Sequence, residues 1–540
     1  MRSEVVKGLV QSLERLRGGQ GIKGAHLPTF YYSNGRLMKT SLLAVLFGAL
    51  TITAVSAQPA PSARPRPGPA PLIDGQRTGD SREWLKVETI TDESGRPVTR
   101  TRRAFVELAT GMSYWDGQQW MESESTFDTT SDGFAATRMQ HKVRLAANIK
   151  QLGAVTLTTP DGITLRSTPI GIGLYDAASG RSLIIGETAD SYGTLVDSNR
   201  VVYPNAFKGV CADVVYTIHN HSFEQDVVIT GKLNPADYGF PTNTTRIQIF
   251  SEFYGKTPEP ERTRRPLKVE QDKEARGKMA SPDLVDESLA FGKMVFGAGR
   301  AARYATLMSD SAAAAAPVAK EFLTAEDGRT VLIESVQYSW IAKDLMSLPD
   351  CQIAALKKEP GSKIPKTGYA QLPSPIRPAD VSAETRKPQE AITVTELESR
   401  PGVAVDYIAT LGATAPTVFQ GDTTYLVTGT VNCNGPTTIE GGAVFKFKYT
   451  TTAVASIYIN SSVTCKTSRY RPAIFTCVDD DSVGETMNGY PNSGYTGNFN
   501  ANGYANPAIQ INGNSGTVLS NLRFTRCKEA VRLVGADGMF

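Results

Sequence analysis

The chain of 540 residues reads as all-β: an N-terminal antiparallel β-sandwich-like domain, then the start of a right-handed parallel β-helix. Three observations predict this. Val, Ile, Thr and Tyr alternate with polar residues over short runs, the pattern of half-buried strands. Turn-forming pairs such as Ser94-Gly95, Asp116-Gly117 and Asp161-Gly162 separate those runs, and such pairs close hairpins. After about residue 400, aliphatic positions recur at a spacing of about 22 once one insertion is removed, which lies within the range of repeat architectures. The length exceeds one compact core, so two or three domains are expected. Lys and Arg number 57 against 54 Asp and Glu, a net charge of +3, and this balance gives no whole-chain reason to expect nucleic acid.

From the N terminus, residues 1–37 read as a dispensable leader or a misplaced start, because Met38 opens a secretory signal peptide over 38–57. Arg36 and Lys39 flank an apolar run from Leu42 to Val55, and Val55-Ser56-Ala57 supplies small residues for cleavage; these are the three parts of such a peptide. The run is too short to span a membrane comfortably, and no second run is long enough. The mature chain is therefore expected to be secreted or at the cell surface, with no transmembrane span. A Pro-rich spacer over 58–82 follows, of extended type.

The sandwich-like domain is expected over 83–350. Hairpins are predicted at 86–108, around Glu93-Ser94-Gly95; at 114–124, between Trp115 and Trp120; at 155–167, around Pro160-Asp161-Gly162; and at 212–233, turning at His219-Asn220-His221-Ser222. Residues 257–287 are charged and apolar-poor and read as a long loop. Strand patterning resumes at Leu289, and 329–349 reads as a strand followed by a short helix. A Pro- and Lys-rich linker is expected over 351–400, with the β-helix over 401–540. Six cysteines in an exported chain allow one or two disulfides, or buried thiols, and spacing does not choose between them.

The repeat rests on Ile439, Ile459, Ile511 and Leu533, at steps of 20, 52 and 22. The middle step contains an Asn-, Gly- and Tyr-rich insertion. Each coil would stack its inward aliphatics on the next and could not bury that face alone. The segment TYLVTGTVNCNGPTTIEGGAVFKF, 424–447, then reads as a first coil, cornered at Gly441-Gly442; the plainer alternative is an antiparallel hairpin. No polar cap follows the last coil, so the stack is expected to continue past residue 540.

That segment, with RPAIFTCVDDDSVGE at 471–485, resembles the opening of large secreted bacterial right-handed parallel β-helix surface proteins, pectate-lyase-like in architecture. The resemblance covers about residues 415–540, and residues 203–229 are similar to the β-rich module that precedes such helices. It implies a fold and a surface setting but no reaction.

Candidate chemistry concentrates in the insertion. Asp479, Asp480, Asp481 and Glu485 are oxygen ligands of the type that bind calcium, the one candidate cofactor, although their spacing matches no calcium loop and a solvated corner that begins an insertion is the plainer reading. Tyr490, Tyr495 and Tyr504 suit either sugar stacking or packing on the coils. Arg469 and Arg471 lie just upstream, and beside acids and calcium such bases are what a polysaccharide lyase would use. His219 and His221 lack a third ligand nearby in sequence. No GxSxG, HExxH or P-loop occurs, so no catalytic residue is assigned. The expected function is an exported structural, adhesive or glycan-contacting protein whose partner is a polysaccharide or cell-envelope component; the alternative is a calcium-assisted polysaccharide lyase on the helix.

Overall fold

The computed structural model describes residues 71–308, 315–352, 371–377, 393–412, 417–449, 455–488, 490, 495–496, 504–512 and 517–534. The leader at 1–37, the signal peptide at 38–57 and most of the Pro-rich spacer lie outside the described residues. The described chain is all-β, with a few short helices. None of those helices is long and apolar enough to cross a membrane.

The described residues between 128 and 411 form an antiparallel body. One run of strands goes from Asp128–Thr130 through Gly133–Ala136, Lys142–Ala146 and Val155–Thr158 to the long strand Thr164–Asp176. That strand also pairs with Thr245–Tyr254, which leads to Thr330–Gln337 and Ala316–Thr324. A second run comprises Arg200–Tyr203, Ala212–His219, Ser222–Ile229 and Val403–Leu411. Gly299–Arg303 pairs with both Val403–Leu411 and Ala316–Thr324 and so joins the two runs. One continuous core contains inward residues from both, among them Ile172, Leu174, Ile249 and Leu332 from the first and Val214, Tyr216, Val405 and Tyr407 from the second. A disulfide, Cys211–Cys351, ties the start of one central strand to the segment after the helix Tyr338–Met346.

The hairpins predicted at 86–108, 114–124, 155–167 and 212–233 are all present. Residues 257–287 differ from expectation. Glu261–Lys268 is a strand paired with Leu284–Phe291, and Lys273–Lys278 is a helix capped by Asp272. The run looked loop-like because its Arg residues replace apolar ones. Arg262 and Arg264 bind the buried Glu287 across the pair, so this strand is held by charge where its neighbours are held by burial.

Residues 417–534 are built differently. Their strands pair in parallel, in three ladders that the chain visits in a fixed order. The first ladder is Thr417–Phe419, Thr437–Glu440 and Val463–Lys466. The second is Thr424–Val427, Val444–Phe447, Ala473–Cys477 and Leu522–Phe524. The third is Thr430–Cys433, Ser456–Ile459, Ile509–Asn512 and Val531–Val534. Aromatic rings stack along the second ladder: Tyr425 on Phe445 at 5.2 Å, Phe445 on Phe475 at 4.5 Å and Phe475 on Phe524 at 4.8 Å. A column of amides runs beside the third, Asn512 donating to Asn460 and Asn460 to Asn434, both at 2.6 Å. Gly442 takes φ = +90° at the expected corner, where a side chain would be strained.

The register corrects one expectation. Ile459, Ile511 and Leu533 are stacked neighbours, but Ile439 lies in the first ladder opposite Cys465, and the residue below Ile459 is Cys433. The first three passes of the chain each contain three short strands of similar composition, and the motif alone does not say which of the three it is.

The ends of the segments also differ from the composition-based outline. Val403–Leu411, read as the beginning of the C-terminal region, belongs to the antiparallel body. Conversely, Leu72–Arg77, Ser81–Thr91 and Pro97–Leu108 form an antiparallel meander whose last strand pairs in parallel with Tyr425–Val427. The meander thus closes one edge of the second ladder, and Trp84 and Phe105 share a core with Phe445, Ile457 and Ile509. Part of the expected linker is likewise seated on the body: Leu372 and Ile376 pack against a small core of Ile170, Ile184 and Phe250.

Candidate functional site

The acidic run follows the strand Ala473–Cys477, at the point where the chain leaves the second ladder. Lys446 sits beside Thr476 in the neighbouring strand. It is fully buried, and its ammonium donates to the carbonyl oxygens of Asp480 and Glu485, both at 2.6 Å. Burial lowers its pKa, while Asp481 and Asp480 oppose the shift. The loop from 480 to 485 is therefore wrapped around a buried cation whose acceptors are backbone oxygens.

The carboxylates are taken up separately. Asp479 accepts from Thr496, at 2.7 Å from the backbone nitrogen, and from the hydroxyl of Tyr504. Asp480 accepts from Thr476 Oγ1 at 2.6 Å and from the Ser482 hydroxyl at 2.5 Å. Burial pushes the Asp480 carboxyl up, but those hydroxyls outweigh it and hold the group below the usual range. Asp481 accepts from Tyr495 at 3.0 Å. Glu485 forms a two-pronged pair with Arg102 of the meander, at 2.6 and 3.2 Å. Among the described residues no three His, Cys, Asp or Glu side chains converge so as to hold a metal ion. The four candidate calcium ligands instead fasten their own loop.

Two of the three tyrosines are packing residues. Tyr490 is buried edge-on between Trp84 and Phe105, with ring centroids at 4.8 and 5.3 Å. Tyr504 is buried against Tyr449. Neither offers an open ring face to a sugar, because Trp84 and Phe105 cover the one and Tyr449 packs against the other. Tyr495 remains half-buried with its hydroxyl on Asp481.

The two arginines lie elsewhere, on a tight turn in which Ser468 and Arg471 exchange backbone hydrogen bonds. Arg471 pairs with Asp422 at 2.6 Å, and Arg469 is exposed. Between them stands Tyr470, which is 92% exposed. The sequence reading passed over Tyr470; its flanking by two arginines was the available signal. A groove between the meander and the first ladder is lined by Gln76, Glu83, Arg103, Gln420 and Thr423 and includes none of the candidate residues.

His219 and His221 lie at their predicted hairpin turn with rings 5.7 Å apart. The third histidine that sequence distance concealed is His141, which is fully buried near them and is pushed down to about 4 by that burial. The turn meets the chain after the meander: an added Cβ at Gly111 would lie 1.9 Å from the Asn220 carbonyl oxygen.

Comparison with known proteins finds no family model that matches this chain, and no characterised protein or solved structure that is similar to it.

Proposed function

We propose that this is an exported structural or adhesive protein, secreted or at the cell surface, that contacts polysaccharide or another cell-envelope component. Its C-terminal region would be the start of a right-handed parallel β-helix, a reading supported by the three parallel ladders and the Phe and Asn columns along them. The antiparallel body would be the sandwich-like module before it. The observation that carries the contact is Tyr470, held out into solvent between Arg469 and Arg471. An exposed ring can stack on a sugar face, and guanidinium groups pair with carboxylate or sulfate. An acidic glycan is therefore the preferred ligand class. Scaffolding is favoured over catalysis because the acids a lyase would use are engaged in holding the 479–485 loop.

A glycan array tests this with the wild-type chain and Tyr470→Ala. Binding to uronate-bearing or sulfated glycans that falls at least tenfold in the variant is the expected result. Equal binding by both would remove the proposed contact. The same glycans are incubated with the protein, with and without calcium, and followed by absorbance for unsaturated uronate. Product that depends on Asp480 would overturn the non-catalytic reading.

A further inference from the structure

The antiparallel body buries a lysine, an aspartate and a glutamic acid together. Lys320 lies on Ala316–Thr324 between Val318 and Phe322, both core residues, and is 0% exposed. Its ammonium is 2.6 Å from Asp286 Oδ1, on the strand Leu284–Phe291, and its own backbone nitrogen donates to the same oxygen at 3.0 Å. Glu334 is directly opposite Lys320 on Thr330–Gln337, so the two side chains leave one face of the sheet about 5 Å apart at Cβ. Glu334 is 1% exposed, lies between the core residues Leu332 and Val336, and among the described residues neither of its carboxyl oxygens has a hydrogen-bond partner. Arg265 also approaches Asp286, 3.9 Å from Oδ2.

An ion pair at this depth is costly, because desolvation offsets most of the attraction. A neighbouring carboxyl without a donor is costlier still unless it stays neutral. Burial drives Glu334 well above the carboxylate range, with Asp406 adding to the effect and Lys320 opposing it. The site therefore holds an amine and a carboxylate in contact, a neutral acid alongside, and no access for bulk water. Those are the conditions under which an intramolecular condensation is favoured. The reactants are held at contact distance, and forming an amide removes two buried charges.

We propose that Lys320 and Asp286 become joined by an isopeptide bond, with Glu334 carrying the protons. Lys320 Nζ gives a proton to the Asp286 carboxylate, and the neutral amine attacks Cγ. Glu334 donates its proton to the departing oxygen and accepts one from the amine nitrogen. The Nζ–Cγ bond forms, a Cγ–Oδ bond breaks, one water leaves, and Glu334 is again a neutral acid. No oxidant, metal or cofactor takes part. The bond would close a covalent loop between two strands that are not adjacent in sequence.

Mass spectrometry of the purified full chain tests the proposal. The expected intact mass, after reduction of Cys211–Cys351, is lighter than the sequence by one water. Tryptic peptides 279–293 and 304–329 should be found joined, with no cleavage after Lys320. Lys320→Arg and Glu334→Gln, checked for folding by circular dichroism, should each have the full mass. If either fails to fold, the wild-type measurement decides alone. A wild-type chain of full sequence mass that trypsin cuts after Lys320 overturns the proposal. A Glu334→Gln chain linked to the wild-type extent overturns the role given to Glu334.

Discussion

Replacing Phe475 by Ala tests the parallel stack where it is most concentrated. Phe475 is fully buried, with Phe445 at 4.5 Å and 7° on one side and Phe524 at 4.8 Å and 22° on the other. Truncating a buried Phe costs about 3–5 kcal/mol, from lost transfer energy and the cavity left behind. Each ring pair adds about 0.5–1.5 kcal/mol beyond buried area. The upper half of the range is expected here, since backbone ladders on both sides hold the neighbouring strands in place and limit collapse of the cavity. The antiparallel body and the ladders need not unfold together, so a global midpoint is a blunt measure. Hydrogen exchange read by mass spectrometry on 444–447 and 473–477 reports the local free energy. A Phe445→Ala/Phe475→Ala double variant should lose about 1 kcal/mol less than the sum of the single losses. A single loss under about 1 kcal/mol, with full additivity in the double, would mean that these rings do not stack and that the ladder register is wrong.

Three further outcomes are expected. Gly111→Ala, at φ = +73° and with its Cβ 1.9 Å from the Asn220 carbonyl oxygen, should cost about 2 kcal/mol or more, seen as a lower thermal midpoint. Lys446→Met leaves the carbonyls of Asp480 and Glu485 without their buried donor, which costs about 1–3 kcal/mol, and should speed chymotryptic cleavage at Tyr495. His141 has a folded pKa of about 4, below the unfolded value of about 6.5, so the unfolded chain binds the extra proton between those values. The contribution of this group should be fully present above pH 6.5, fall by about 3 kcal/mol as pH drops to 4, and change no further below that; His221, which burial lowers to about 3, adds a slope of the same sign, so urea midpoints across pH should show a slope that His141→Met reduces and leaves in part.

Local chemistry made much of the architecture legible. The Asp161-Gly162 and Asn220-His221 turns stand where the alternation predicted them, because a turn and its flanking strands are specified within some twenty residues. Ile459, Ile511 and Leu533 are stacked as read, since a side chain repeated at one place per circuit leaves a periodic trace. Ile439 went to the wrong ladder because three strands per circuit look alike. What depends on distant partners was not legible. Nothing near Tyr490 announces that Trp84 and Phe105 will enclose it, and nothing in the sequence VAKEFLT distinguishes Lys320 from a solvated lysine. The acidic run offered either a calcium-ligand set or a solvated corner, because composition shows the carboxylates but not the hydroxyls and amides that occupy them.

The meander and the strand it covers are more than 300 residues apart: Thr428 reaches Glu107 across a separation of 321. Closing so long a loop early in folding is entropically unfavourable and slow. The body shortens the search, because once folded it brings its own two ends together. Thr110 binds Thr430 and Asn432, and the Asn432 side chain binds the carbonyl of Leu411, where the body's last strand finishes. During synthesis the meander emerges first and has no partner until the ribosome has passed residue 427. The connectivity therefore favours one order of assembly: the body, then the meander against Tyr425–Val427, then each later parallel strand onto an edge already in place.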